Sequence, residues 1–409
     1  MAIIMIIAMI DSDYPYVARG LDLDTLLSTR TVLLFGPRQT GKSSYIREQL
    51  SEPPAAVFSL LDQGLLRASL ADPTRIRQEI DARNIRNTVV VIDEIQKNPA
   101  LMDEVHLMIE TRGIRFLLTG SSARSLKRAG VSLLGGRGSD RRLHVFSWHE
   151  LKPHGFDLHR ALNAGLLPPH YLAADAEEGL GAYVDRYLTE EVAAEGLTRN
   201  LPAFARFLET AAASNAQLIN YSNIARDAQL ARQTVVQWFS ILLDTLLAFQ
   251  LPAYTASRKR KAIETAKFYF FDPGVVRTLL RLPEVHPNSA DFGLFFEHFI
   301  FLELRAWIDY RSPRTPLHYW RSRSGLEVDF VLNGEIAIEV KAARTVQEKH
   351  TRGVRALMEE GTITRSIIVC REERPLKRDG IEILPWEFFL QALWSGEILK
   401  MREPRTTTG

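Results

Sequence analysis

Apolar residues change their spacing several times along this chain, and the changes divide it. In the first part, short apolar runs such as TVLLF at 31–35, VVVI at 89–92 and IRFLL at 114–118 alternate with mixed segments such as SYIREQL and PALMDEVHLMIETR. Such runs fit buried strands, and the segments between them fit helices. From Pro202 the pattern turns helical: FARFLETAAASN, YSNIARDAQ and ARQTVVQWFSILLDTLLAF read as three helices. LAFQLPAY and KFYFFD then read as strands on either side of a basic turn, SRKRKAIETA. From Phe292 the apolar positions 292, 295, 296, 299 and 306 give a buried helix. HYWRSR, EVDFV and IAIEVKAA follow as strands, then a helical stretch from Glu348 to Glu360 and a last strand, SIIVC. This is an α/β chain with four parts: 1–155, a helical linker or lid over 156–200, a helix-rich module over 201–287, and an α/β unit over 288–409.

Composition narrows the picture only a little. A chain of 409 residues exceeds one typical core, so two or three domains are expected. The formal net charge of +2 excludes a globally basic nucleic-acid binder, and any such surface must be a local patch. Cys370 is the one cysteine, so no intrachain disulfide can form, and the ten His show no ligand spacing. The opening MAIIMIIAMI lacks a preceding Lys or Arg and is too short to span a bilayer. It reads as a buried first strand, or as residues upstream of a true start at Met5 or Met9. A cytoplasmic protein with no membrane partner is the expectation.

The first apolar run leads directly into GPRQTGKS. Strand, glycine loop and helix with G-x-x-x-x-G-K-[ST] spacing form a phosphate cradle, because glycines let backbone N–H groups wrap the anion. Gly36, Pro37, Arg38, Gln39, Thr40, Gly41, Lys42, Ser43 and Ser44 are the expected contacts to ATP. Lys42 would reach the β- and γ-phosphates, and the Ser43 hydroxyl would bind Mg²⁺. The second run ends in Asp93 and Glu94. Asp93 would hold Mg²⁺ through water, and Glu94 would activate the attacking water. Thr119, with Ser121 next, ends a third strand as a γ-phosphate sensor or as a plain strand-end cap. Arg137, on the turn LLGGRG, is either an arginine finger reaching across a subunit interface or an exposed turn residue.

In the order GPRQTGKS, VIDEIQ, LTGSS and LGGR, the chain resembles a prokaryotic family of AAA-type P-loop ATPases. That resemblance covers nearly the whole chain. It implies an AAA/ASCE P-loop NTPase domain and a C-terminal domain of unknown function related to PD-(D/E)xK nucleases, which have a restriction-endonuclease-like fold. It also implies a homo-oligomer, and it favours a start near Met9, because YPYVARG fits the family's opening segment.

Three helices and a hairpin over 201–287 follow winged-helix order. Arg232, Gln233 and Thr234 would then face DNA, with Arg258, Lys259, Arg260 and Lys261 at the tip suited to phosphates. The same module could instead pack as a lid or partner surface. In the last part Asp329, Glu339 and Lys341 have the spacing of a nuclease metal site, with Glu297 on the preceding helix as a further acid. Strand alternation makes this reading depend on one turn. A two-residue Asn333-Gly334 turn pairs Asp329 with Ile338 and separates the acids. A three-residue Leu332-Asn333-Gly334 loop pairs Asp329 with Ala337 and brings Asp329 and Glu339 to one face. The alternative is the polar face of an ordinary hairpin. Two functions follow: an ATP-driven nucleic-acid-processing enzyme, or an ATP-dependent switch whose last domain binds a partner and cuts nothing.

Overall fold

The computed structural model describes residues 15–122, 124, 126, 138–188, 200–256 and 259–399. The first part is a five-stranded parallel sheet built from β1 (Thr31–Phe35), β2 (Ala56–Ser59), β3 (Val89–Asp93), β4 (Arg115–Gly120) and β5 (Gly138–Arg142). Its order is β2-β3-β4-β1-β5. Every residue of β1 is buried because both faces are covered. Leu33 and Phe35 pack with Met102, Val105 and Met108, while Val32 and Leu34 pack with Leu21, Leu23 and Tyr45. Helix α1 (Lys42–Glu48) follows the glycine loop, and α2 (Leu101–Arg112) separates β3 from β4. Because β4 lies between β1 and β3, its C-terminal end stands between the loop after β1 and the acids that end β3.

Three short helices, Leu158–Asn163, Pro168–Leu172 and Glu177–Ala182, lead into the middle module. There α3 (Leu201–Ala213), α4 (Tyr221–Asp227) and α5 (Arg232–Asp244) pack on β6 (Gln217–Leu218), β7 (Ala248–Leu251) and β8 (Lys267–Phe270). This antiparallel sheet has the order β6-β8-β7. Asn200 and Asn220 cap α3 and α4 by accepting backbone N–H bonds. Phe207, Phe239 and Phe268 fill the space between helices and sheet in edge-on contacts.

The last part opens with α6 (Phe292–Arg311), which lies against a six-stranded sheet in the order Leu376–Arg378, Ile381–Pro385, Arg365–Cys370, Ile336–Val340, Glu327–Leu332 and Leu317–Arg321. β9 (Leu317–Arg321), β10 (Glu327–Leu332) and β11 (Ile336–Val340) form an antiparallel meander. The helical stretch expected from Glu348 to Glu360 is a 3₁₀ turn (Glu348–Thr351) followed by α7 (Arg352–Met358). It crosses to β12 (Arg365–Cys370), parallel to β11, and β13 (Leu376–Arg378), β14 (Ile381–Pro385) and α8 (Trp386–Trp394) complete the unit. One core joins Val17 to described residues between Val145 and Ile398, with Tyr269 of β8 stacked on Phe301 of α6 at 4.0 Å. No helix among the described residues is long and apolar enough to cross a membrane.

Two expectations need correction. The β10–β11 ladder pairs Phe330 with Ile338, Val331 with Ala337 and Leu332 with Ile336, so Asp329 does not pair with Ala337. The three-residue loop is Asn333-Gly334-Glu335, with φ of 56° and 73° at the first two positions. Leu332 is fully buried and stays in the ladder, while Asn333 Nδ2 donates to Glu335 Oε1 at 2.7 Å within the loop. One further step along this register sets Asp329 opposite Glu339, on one face. The basic turn also differs from a free phosphate-binding tip. Arg260 bonds Glu359 and Glu360 beside α7, and the Lys259 N–H donates to Glu360 at 2.6 Å. Lys259 and Lys261 are exposed, and Arg258 lies outside the described residues.

Candidate functional site

The glycine loop is closed on itself. Lys42 is buried, and its Nζ donates to the carbonyls of Gly36 at 2.6 Å and Pro37 at 3.0 Å. Gln39 and Gly41 have φ of 64° and 90°, which turns successive N–H groups the same way round. Gly36 has no room for a side chain, since a Cβ there would lie 2.5 Å from the Leu143 carbonyl oxygen. Thr40 Oγ1 donates to Pro37 O at 2.8 Å, and the buried Arg19 donates to the Thr40 carbonyl. The Arg38 N–H donates to the Tyr187 hydroxyl at 3.3 Å, with its guanidinium over that ring. Ser43 is exposed and Ser44 half-buried.

Asp93 ends β3 beside this loop. Thr119 Oγ1, from the end of β4, donates to Asp93 Oδ1, and Ser59 Oγ lies 3.3 Å from Asp93 Oδ2. Glu94 takes a left-handed conformation, φ 60°, which turns it out of the strand line. Gln96 Nε2 donates to Glu94 Oε2 and to Ser121 Oγ, so the DEIQ segment clamps its own glutamate. Burial raises the Glu94 pKa, the nearby Lys42 opposes that shift, and Asp93 adds to it. Arg137 lies outside the described residues.

In the last part, Glu297 from α6, Asp329 from β10, and Glu339 and Lys341 from β11 line one cavity of about 400 Å³. β10 carries an extra residue against β9 between Val328 and Val331, a bulge that re-aims Asp329. Asp329 Oδ2 accepts the Val340 N–H at 2.8 Å. Glu339 Oε1 pairs with Lys341 Nζ at 2.5 Å, whereas Glu339 Oε2 is buried with no hydrogen-bond partner. Burial, and then the Asp329 carboxylate, push the Glu339 pKa up to about 8. Burial takes Glu297 to about 7, with Lys267 opposing. Burial disfavours charge on Lys341, but Asp329 and Glu339 outweigh it and hold its pKa above the ordinary ammonium range. An orphaned carboxylate oxygen among an all-oxygen donor set fits a hard divalent cation.

Sequence spacing missed part of this cluster. Lys267 Nζ lies 2.6 Å from Glu327, 3.1 Å from Glu297 and 3.6 Å from Asp329. Tyr269 donates to Glu297 Oε1 at 2.6 Å. A signal was available, since Lys267 and Tyr269 alternate with phenylalanines in KFYFF and so share one face. One group of possible donor atoms outside this cavity also includes histidines. His159, Glu284 and His286 come together, with donor atoms all within 4.8 Å of one another. They belong to a helix and a loop more than a hundred residues apart, which linear spacing cannot show.

Comparison with known proteins bears first on the nucleotide site. Residues 28–152 match the family described as AAA domain. The first third has the AAA-type P-loop fold. Residues 155–286 and 292–389 match two domains of unknown function, DUF8612 and DUF4143. The chain is similar to two uncharacterized proteins, Rv2008c of Mycobacterium tuberculosis and Mb2031c of Mycobacterium bovis. Each is 25% identical over 348 residues, covering 83% of this chain and 76% of the relative. Among solved structures, the Aeropyrum pernix ORC1 protein in complex with DNA aligns at 14% identity and a TM-score of 0.27. That alignment covers 67% of this chain and 95% of ORC1. Can2 of Sulfobacillus thermosulfidooxidans, in complex with cyclic tetra-adenylate, aligns at 13% identity and a TM-score of 0.20. It covers 93% of this chain and 99% of Can2.

Proposed function

We propose that this chain hydrolyses ATP at its AAA-type domain and couples that cycle to metal-dependent cleavage of nucleic acid, DNA above all, in its last third. The observation that carries the reading is the convergence of Glu297, Asp329, Glu339 and Lys341 from three elements on one cavity. The order helix, antiparallel meander, helix, parallel strand supports a PD-(D/E)xK nuclease-like unit over 288–409. Three helices on a β6-β8-β7 sheet support a winged helix, with Arg232 and Gln233 exposed at the start of α5 and Thr234 half-buried.

At the first site, Lys42 would hold the β- and γ-phosphates of ATP, Ser43 would hold Mg²⁺ with Asp93 acting on it through water, and Glu94 would take the proton of the attacking water. Thr119 orients Asp93, and Arg137 would complete the site of a neighbouring copy. At the second site, Asp329 and Glu339 would hold a divalent ion, with Glu297 as a further acid. That ion, when bound, supplies positive charge at the scissile phosphate and a more acidic water. Lys341 faces the scissile phosphate. Helix α6 joins the two sites: Glu297 lies near its start, while Asp309 bonds His144 and Tyr310 bonds the His144 N–H near its end. Arg19 lies 3.4 Å from that Tyr310 hydroxyl and also holds the glycine loop through Thr40.

A second reading, a switch whose last domain binds a partner without cutting, is favoured by one observation: an ammonium group already lies among the acids. Incubation of the full chain with plasmid, junction and single-stranded DNA in Mg²⁺ separates the two. Cleavage that is lost in Lys341→Ala supports the first reading. No cleavage of any substrate, with ATP turnover intact, supports the second.

A further inference from the structure

The acids of the last third are shared with a cation from another part of the chain. Lys267 opens β8 of the middle module, and its side chain is only 4% exposed. A buried ammonium needs paired carboxylates, and here Glu327, Glu297 and Asp329 supply them at 2.6, 3.1 and 3.6 Å. Tyr269, on the same face of β8, donates to the Glu297 oxygen that Lys267 also uses. Tyr319 of β9 lies under the ammonium at 5.7 Å. The other charged groups here are Glu339 with Lys341, and Arg321 of β9, which lies 3.6 Å from Glu327.

Two of the acids that would hold a divalent ion therefore already serve Lys267. A hard ion needs the same oxygens at about 2.0–2.6 Å, which leaves no place for an ammonium among them. Charge points the same way. In ionised form, Glu297, Glu327, Asp329 and Glu339 face Lys267, Lys341 and Arg321. Withdrawal of Lys267 leaves two uncompensated negative charges, which one divalent ion matches.

Building on the nuclease-like reading above, we propose that Lys267 is the resident cation of this site and excludes a divalent metal for as long as its ammonium stays among the acids. The middle module thus sets metal occupancy in the last third. The site has two states, ammonium in or metal in, and the first keeps an otherwise assembled acid cluster inert.

Mn²⁺ binding to the full chain without nucleotide, followed by electron paramagnetic resonance, tests this. Lys267→Met is expected to bind Mn²⁺ at least about tenfold more tightly than the wild type, and Asp329→Asn in that background to abolish the gain. Arg321→Met removes the same charge beside Glu327, which is not among the acids that would hold the ion, and should tighten binding less than about threefold. Equal affinities of wild type and Lys267→Met would overturn the exclusion while leaving the metal site standing. An equal gain in Arg321→Met would reduce the effect to general charge and overturn it too. Binding in neither the wild type nor folded Lys267→Met would overturn both the exclusion and the metal-site reading. Should Lys267→Met fail to fold, Glu327→Gln loosens the shortest contact instead. Tighter Mn²⁺ binding, despite one negative charge fewer, is expected there, and weaker binding contradicts the proposal.

Discussion

Glu303 offers a stability test of the helix that joins the two sites. It lies in the middle of α6, 1% exposed, accepting the Trp148 N–H at 2.5 Å and the Trp394 Nε1–H at 2.9 Å. It thereby fixes α6 both to the segment after β5 and to α8. Burial pushes its pKa up to about 8, and the two donated hydrogen bonds only partly oppose this. A carboxyl whose folded pKa is raised contributes stability that is fully present below the unfolded value, and it is lost as pH rises through about 8. At 1.36 kcal/mol per unit, the loss from an ordinary Glu value to pH 7 is about 3 kcal/mol, and to pH 8 about 5 kcal/mol. Glu303→Gln has no such titration. At about pH 5 it should be less stable than the wild type by about 1–3 kcal/mol, because its amide meets one of the two donors with an N–H group. Between about pH 5 and pH 8.5 the wild type should lose stability relative to the variant, moving the difference in melting temperature by roughly 5 °C. Differential scanning calorimetry of both proteins across this range reads the effect. Parallel pH curves would refute the reasoning, since they would mean that Glu303 does not change its proton affinity on folding.

Two further outcomes concern the nucleotide site. Gly36→Ala should abolish ATP binding in equilibrium dialysis, because the added Cβ would lie 2.5 Å from a backbone oxygen that cannot swing away. Gln96→Ala should lower kcat for ATP about tenfold with KM within about twofold, since the lost bond positions Glu94 rather than ATP. A change confined to KM would contradict that role.

Much of the first third was legible in the sequence because its signals are local. A strand, a glycine loop, Lys42 and Ser43 lie within thirteen consecutive residues, 31–43, and β3 ends in its acids. The Asp329–Glu339 pairing was harder, because one residue of loop register decides which side chains face each other. The buried Leu332 settled that register by staying in its ladder, whereas local turn preference had put it in the loop. Lys267 could not be assigned from spacing at all. Its partners lie 30 to 62 positions away, and only the shared core of the middle and last parts brings them together. The partners of the basic turn were hidden for a related reason, since a run of positive charge does not reveal whether Glu359 and Glu360 will meet it.

The central claim is that the AAA-type domain turns over ATP and that nucleic acid bound elsewhere on the chain drives it. Steady-state phosphate release by wild type and Glu94→Gln, with and without DNA, tests this most directly. The wild type is expected to show turnover that DNA stimulates, and Glu94→Gln a loss of about 10²–10⁴-fold with ATP binding retained. Normal turnover in Glu94→Gln, or a wild-type rate indifferent to every DNA tried, would contradict it.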